Sequence, residues 1–474
     1  MPKKMTETEH RSSPLSELTA ISILDGRNRE QVAQLAEYVS EYNLIRTRFE
    51  VESAYLIALS QEGITRKLSS SERRQLESFG KDLSLDDARK VKEIENRTRH
   101  DVKAMERSFR QMLSGTSLQD VIEMVHFGLT SEDVNNIAYR LILKRATENI
   151  FIPLLDSLIE ELAKRADDWK EIPMLARTHG QAAVSTTLGK EIINFAVRVN
   201  KQVRELELRK LEGKMTGAVG NLNALRVTYP NINWISFSEN FVRSFGFEPN
   251  LTTSQINPYE DTIAYFQNYQ RINNIILNFD QDMWRYISDG WFLQGLHKGE
   301  VGSSTMPQKV NPIRLENSEG NLGKANALFE YFSRKLGISR LQRDLSDSTV
   351  IRDMGVPLGY SLLSYQNTLL QINRIKANKV TITEALNSDW SILSEAAQTI
   401  MRRYGVKDPY SLMAEYTQGK TLDQEAWASL VDQLPLDEEV KMDLASLVPE
   451  NYIGYAIELT EKAILEIKSS RRKK

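Results

Sequence analysis

Residues 265–288 read YFQNYQRINNIILNFDQDMWRYIS, and within them Tyr269, Ile272, Ile276, Phe279, Met283 and Ile287 step by three or four. That spacing lays one apolar stripe along a helix, because 3.6 residues complete a turn. Ile192, Phe195, Val199, Val203 and Leu206 repeat the pattern, as do Leu322, Ala325, Leu328, Phe332 and Leu336. Proline breaks helix interiors, and none occurs from Ser16 to Ile152, Met174 to Tyr229, Tyr259 to Met306 or Ile313 to Val356. Three long stripes bury best against near-parallel neighbours, which predicts a bundle. Short β-branched runs such as Lys379 to Thr383 are isolated, so the expected class is all-α. Three helical domains are expected: 1–118, ending in the loop Ser114-Gly115-Thr116; a central long-helix bundle at 119–370; and 371–474, where Pro409, Pro435 and Pro449 imply shorter helices.

The 474 residues are 41% hydrophobic and 26% charged, with a formal charge of −3 from 61 basic and 64 acidic side chains. Such a composition disfavours a wholly disordered chain, a collagen and a strongly basic nucleic-acid coat. The basic run Arg471 to Lys474 is too short to change that and reads as a solvated end. Cysteine is absent, so disulfides, thiolate nucleophiles and cysteine-bound metals are removed together. Met1 to Ser16 is polar, without the apolar core of a secretory signal, and no apolar run approaches the ~18–20 residues of a membrane span. The expectation is a cytoplasmic protein with no membrane or nucleic-acid partner.

Five histidines exist, and histidine is the side chain best suited to proton transfer near neutral pH. His10 lies in the polar N-terminal stretch and His297 beside Lys298. The other three sit in polar clusters near breaks in the helical pattern: Arg99-His100-Asp101, His126 ahead of Thr130-Ser131-Glu132-Asp133, and Arg177-Thr178-His179-Gly180-Gln181. Thr130 with Asp133 matches the pattern that caps a helix start. The same geometry makes an anion site, with Thr130 and Ser131 beside exposed helix amides. The two readings are compatible.

Gly213 to Asn221 lacks the strand and spacing of a nucleotide-binding loop, as does Gly320 to Lys324. It reads as a bend. Gly302-Ser303-Ser304-Thr305-Met306-Pro307-Gln308-Lys309-Val310-Asn311-Pro312 crowds hydroxyls, two side-chain amides and a cation between two amphipathic stretches. A mobile lid with a reactive hydroxyl has this composition, and so does an ordinary connecting loop.

That loop resembles the signature loop of the fumarase/aspartase superfamily, homotetrameric lyases that eliminate fumarate. Arg99-His100-Asp101, Leu129 to Asp133, Arg177 to Gln181 and Gln342 to Ser348 resemble the adenylosuccinate lyase branch, and matches run in order from Asp25-Gly26-Arg27 to Arg403-Tyr404. The resemblance implies β-elimination of fumarate from adenylosuccinate, giving AMP, and from the succinylated imidazole-carboxamide nucleotide of purine synthesis. It implies Ser303 as the base that takes the carbon proton and His179 as the acid that protonates the leaving nitrogen, with Ser304 an open rival to Ser303. Thr130, Ser131, Lys309 and Asn311 would hold the succinyl carboxylates, and His100, flanked by Arg99 and Asp101, would orient the substrate or support His179.

Arg27, Gln255, Arg343, Ser348 and Arg352 would hold the nucleotide, with Arg314 a further candidate. Asn28 stands where relatives usually carry tyrosine, which puts one substrate contact in question. Nine residues on an ideal helix is a half-turn of offset, so Arg343 and Arg352 cannot share one phosphate from one straight helix. No cofactor and no metal is expected, since elimination needs neither a redox nor a group carrier. The resemblance also implies a homotetramer with each site shared by three subunits, and the long stripes argue the same way, since a monomer would leave them exposed. The rivals are another fumarate-releasing lyase, such as one for argininosuccinate, and a non-catalytic structural homotetramer.

Overall fold

The computed structural model describes residues 16–295, 299 and 302–471, so His10 and His297 lie outside the described residues. The principal elements, in chain order, are α1 (Glu41–Gln61), α2 (Asp101–Leu113), α3 (Ser131–Ala146), a hairpin of β1 (Pro173–Thr178) and β2 (Gln181–Thr187), α4 (Leu188–Leu208), α5 (Glu260–Ser288), α6 (Ile313–Lys335), α7 (Ser346–Ile351) and α8 (Gly355–Ile372). Further helices fill the rest, among them Leu85–Thr98, Ile152–Trp169 and Ala456–Arg471, and among the described residues only three two-stranded ladders occur. The fold is helical, as the periodicity predicts.

The stripes behave as their spacing requires. Tyr269, Ile272, Ile276, Phe279 and Met283 are each at most 2% exposed, and the α4 residues Ile192, Phe195, Val199, Val203 and Leu206 are buried. Ile287 and Leu328 are half-buried. One inference needs correction: the stripes are buried within the single chain, so they do not by themselves demand a partner. What α5 and α6 leave exposed is Trp284, Ile313 and Tyr331.

Contacts divide the chain into two compact units. The first comprises residues up to Pro153 with 205–273 and 321–364; the second comprises 154–204, 274–320 and residues from Tyr365 onward. The dividing points fall inside the helix Ile152–Trp169 and inside α4, α5, α6 and α8, so each of these helices gives a part to each unit. In the first unit, aromatic edges knit the core: Phe49 meets Phe109 at 5.4 Å between ring centroids, and Phe266 stacks on Phe329 at 5.3 Å. In the second, Phe195 of α4 meets Phe279 of α5 at 5.2 Å. No helix among the described residues is long and apolar enough to cross a membrane.

Candidate active site

In the first unit the site begins at the N-terminus of α3. Asp133 is fully buried and locks that helix start to the glycine bend. Its Oδ2 accepts from the Thr130 backbone amide at 2.8 Å, while Oδ1 takes Lys214 Nζ at 2.9 Å and the amides of Thr216 and Gly217 at 3.0 and 3.2 Å. The bend Gly213–Asn221 is therefore tied down by a buried ion pair, which is a structural role. Thr130 and Ser131 remain half-buried beside the free amides of the helix start, where an anion is favoured.

Next to them sits Glu132, a residue that sequence reasoning passed over within a cluster it had already quoted. Its side chain is 1% exposed and lies 3.4 Å from Arg343 Nη2. Burial pushes its carboxyl up to about 7 against the pull of Arg343, with Asp347 adding to the rise. Arg343 also donates to Gln255 Oε1 at 3.0 Å and to Ser348 Oγ at 3.2 Å, so three of the predicted nucleotide residues form one cluster. Gln255 is fixed in turn by donating to the Ala218 carbonyl at 3.1 Å.

Arg352 goes elsewhere. Because α7 is only Ser346–Ile351, Arg343 precedes it and Arg352 caps its end, so the straight-helix constraint does not apply and the two guanidinium groups have different partners. Arg352 pairs with Asp101, which also takes Arg48 Nη2 at 2.7 Å. Burial opposes charge on Asp101, but Arg48 and Arg352 together hold its carboxyl well below the usual carboxylate range. Arg48 is 1% exposed and spends its Nε on Asn135 at 2.9 Å. Asp101 is thus occupied in placing Arg352, and Arg48, which sequence reasoning missed, is its buried anchor. Nothing in the local sequence of α1 marks Arg48 out, since its partners are 53 and 87 residues away.

His100 caps the start of α2, its Nδ1 accepting from the Lys103 amide at 3.3 Å, which turns the opposite ring edge outward. The preceding Arg99 is exposed and holds a left-handed backbone, φ 55°, that ends the helix Leu85–Thr98. His126 is drawn inward: its Nδ1 lies 2.5 Å from buried Glu52, and although burial opposes its charge, Glu52 raises its pKa. Arg27 is exposed and Asn28 donates to Gln31 at 2.8 Å, so neither joins the Arg343 cluster. Their neighbours Asp25 and Arg29 do line a cavity of about 430 Å³ together with Arg352.

The second unit carries the predicted proton carriers. Thr178 pairs with Gln181, which leaves His179 and Gly180 as a two-residue hairpin turn. Both have positive φ, 54° and 76°, the geometry that matches the twist of a tight hairpin and suits Asn-Gly rather than His-Gly. A histidine held there is strained by about 1–3 kcal/mol, a cost that clusters at functional sites, and its ring is exposed at the hairpin tip.

In the loop Gly302–Pro312, Ser303 Oγ accepts the backbone amides of Met306 at 3.1 Å and Thr305 at 3.5 Å. Ser304 Oγ, by contrast, meets the Thr305 hydroxyl at 3.4 Å. Two converging N–H dipoles favour negative charge on Ser303 Oγ. The loop closes tightly: a Cβ placed on Gly302 would stand 2.5 Å from the Lys309 carbonyl oxygen. Gln294 buttresses the far side by donating to the Val310 carbonyl at 2.8 Å. Lys309 is exposed, Asn311 half-buried, and Arg314 donates to Asn367 at 3.3 Å.

A family model described as lyase matches residues 26–326, and one described as adenylosuccinate lyase C-terminal matches residues 339–453. The chain is 44% identical over 452 residues to the adenylosuccinate lyase of Haemophilus influenzae, covering 94% of this chain and 99% of the relative. It is 41% identical over 452 residues to that of Escherichia coli K12, at 94% and 99% coverage, and 44% identical over 456 residues to that of Dictyostelium discoideum, at 93% and 97%. Two solved structures share the fold at 16% identity. They are a 3-carboxy-cis,cis-muconate lactonizing enzyme from Pseudomonas putida, TM-score 0.71 over 92% of this chain and 97% of that one, and a fumarate lyase from Mesorhizobium sp. BNC1, TM-score 0.73 over 91% and 97%.

Proposed function

The chain belongs to the adenylosuccinate lyase family and is a C–N lyase; from that premise we propose that Ser303 and His179 carry its two proton transfers. The chemical problem is a β-elimination. A weakly acidic C–H beside a carboxylate must lose its proton while the departing nitrogen gains one, and the intermediate gathers charge on that carboxylate. Ser303 removes the carbon proton and His179 protonates the nitrogen from the other face.

A free serine is too weak a base for this step, and the two loop amides aimed at Ser303 Oγ are the observation that carries the reading, because they stabilise the alkoxide form. Lys309 and Asn311, with Thr130 and Ser131 at the α3 helix start, hold the succinyl carboxylates. Arg27, Gln255, Arg343, Ser348 and Arg352 hold the nucleotide phosphate and base, and Arg314 is a further candidate. Asp101 places Arg352, and His100 presents its outer edge to substrate.

We place the reaction in the cytoplasm, on adenylosuccinate and on the related succinylated imidazole-carboxamide nucleotide, in a homotetramer whose sites each draw on three chains. The three-domain division at 1–118, 119–370 and 371–474 belongs to the same proposal. Trp284, Ile313 and Tyr331, exposed on α5 and α6, are apolar surface available to such an interface. The test is fumarate release by Ser303→Ala and Ser304→Ala enzymes: the first should lose on the order of 10²–10⁴ in kcat, the second less than about tenfold. Near-normal turnover by Ser303→Ala refutes the assignment.

A further inference from the structure

Glu132 is the one carboxylate beside the Arg343 cluster whose two oxygens are both buried and accept no hydrogen bond among the described residues. Buried charges are ordinarily paired by hydrogen bonds as well as by charge, so this arrangement calls for an explanation. The cations around it are mostly committed. Arg140 forms a bidentate pair with Asp261 at 2.8 Å, and Lys214 is spent on Asp133. Arg343 alone stands close, at 3.4 Å, an ion-pair separation without a hydrogen bond. Asp347 adds like charge to Glu132; its Oδ2 accepts from the Tyr259 hydroxyl at 3.0 Å while its Oδ1 accepts nothing among the described residues. Tyr139 and Tyr259, both buried, also feel the charge of Glu132.

We propose that Glu132 is a positioning residue of the nucleotide site, a counter-ion to Arg343 in the empty enzyme that takes up one solvent proton when a phosphate dianion occupies that guanidinium. The inference rests on the nucleotide role proposed above for Arg343. A dianion arriving at Arg343 sets like charge within a few ångströms of a buried carboxylate whose own charge no hydrogen-bond donor among the described residues disperses. One of the two negative groups must then be neutralised, and Glu132 is the cheaper, since burial has already pushed its carboxyl up to about 7. Its pKa rises further in the complex. The complex therefore binds more protons than the free enzyme between the two values, and affinity falls as pH rises above about 7.

The probe is AMP, titrated calorimetrically into the intact enzyme at pH 8 in buffers of low and high ionisation enthalpy. Wild type should show a buffer-dependent heat equivalent to nearly one proton taken up per AMP, and its affinity should fall about eightfold from pH 7.5 to 8.5, the change expected for a single carboxyl of pKa about 7. Glu132→Gln should still bind AMP with a buffer-independent heat and a flat pH profile. Buffer-independent heat in wild type overturns the inference whether or not the variant folds, and so does proton uptake that persists in Glu132→Gln. AMP that binds without uptake sinks this inference alone, whereas AMP that fails to bind sinks the nucleotide reading with it.

Discussion

Replacing Lys214 by methionine isolates the ion pair that fixes the glycine bend to the start of α3. Lys214 and Asp133 both have fully buried side chains, and the ammonium is the only cation bonded to that carboxylate among the described residues. Methionine keeps most of the aliphatic stem, so packing changes little. The Asp133 charge, however, is left with three backbone amides and no counter-ion. Breaking a buried pair at one partner costs about 3–5 kcal/mol, and the surviving amides place the expected loss at the lower end, about 3 kcal/mol. For 474 residues the unfolding entropy is about 1 kcal/mol/K, so the melting temperature should fall by about 3 °C. Scanning calorimetry and urea unfolding measure both quantities. Lys90→Met supplies the control, because its pair with Asp87 is solvent-exposed and should cost under about 1 kcal/mol. A Lys214→Met loss no larger than that of Lys90→Met would refute the claim that this buried pair holds the bend.

Asp101→Asn should destabilise the enzyme by about 2–3 kcal/mol by leaving Arg48 buried without its anion, and should raise KM for nucleotide more than it lowers kcat, since Arg352 loses its anchor. The same carboxyl gives an acid signature. Its folded pKa lies below the unfolded one, so its contribution is complete above about pH 5 and is lost as pH falls toward the depressed value; urea midpoints of wild type should drop across that window and those of Asp101→Asn should drop less. Gly302→Ala should leave stability within about 1 kcal/mol, the loop being largely exposed, yet lower kcat on the order of 10²-fold, because the new Cβ would press the Lys309 carbonyl and displace Ser303 from its amides. Wild-type kinetics in Gly302→Ala would show that the closed loop geometry is not the reacting one.

Much of the fold was legible because its signal is local and periodic. A stripe such as Tyr269 to Met283 states both the helix and its buried face, and the structure buries those residues. The hairpin that carries His179 was not read. Its signals were present in the β-branched Val184, Thr186 and Thr187 and in a His-Gly pair flanked by extended residues, but they were short beside the surrounding helices. The division into two units was illegible for a different reason: its borders cut through the helix Ile152–Trp169 and through α4, α5, α6 and α8, where a helix gives no sign of changing neighbours.

At the candidate site, motifs pointed to the loop Gly302–Pro312 and to the residues that gather around Arg343, while Arg48, Glu52 and Lys214 escaped. Their roles come from partners more than 50 residues away, or from a charge that only burial makes significant. Glu132 escaped because on paper it is one more acidic residue at a helix start, where exposed carboxylates are common.

In the proposed tetramer, a seryl oxygen from one chain and an imidazole from another act on one substrate. Ser303→Ala and His179→Ala enzymes, each inactive alone, should be mixed in equal amounts, dissociated and allowed to reassociate, and fumarate release then measured. If each site draws the two residues from different chains, about one quarter of the sites regain both, and activity should return to about that fraction of wild type. A reassociated mixture no more active than either variant would contradict the account.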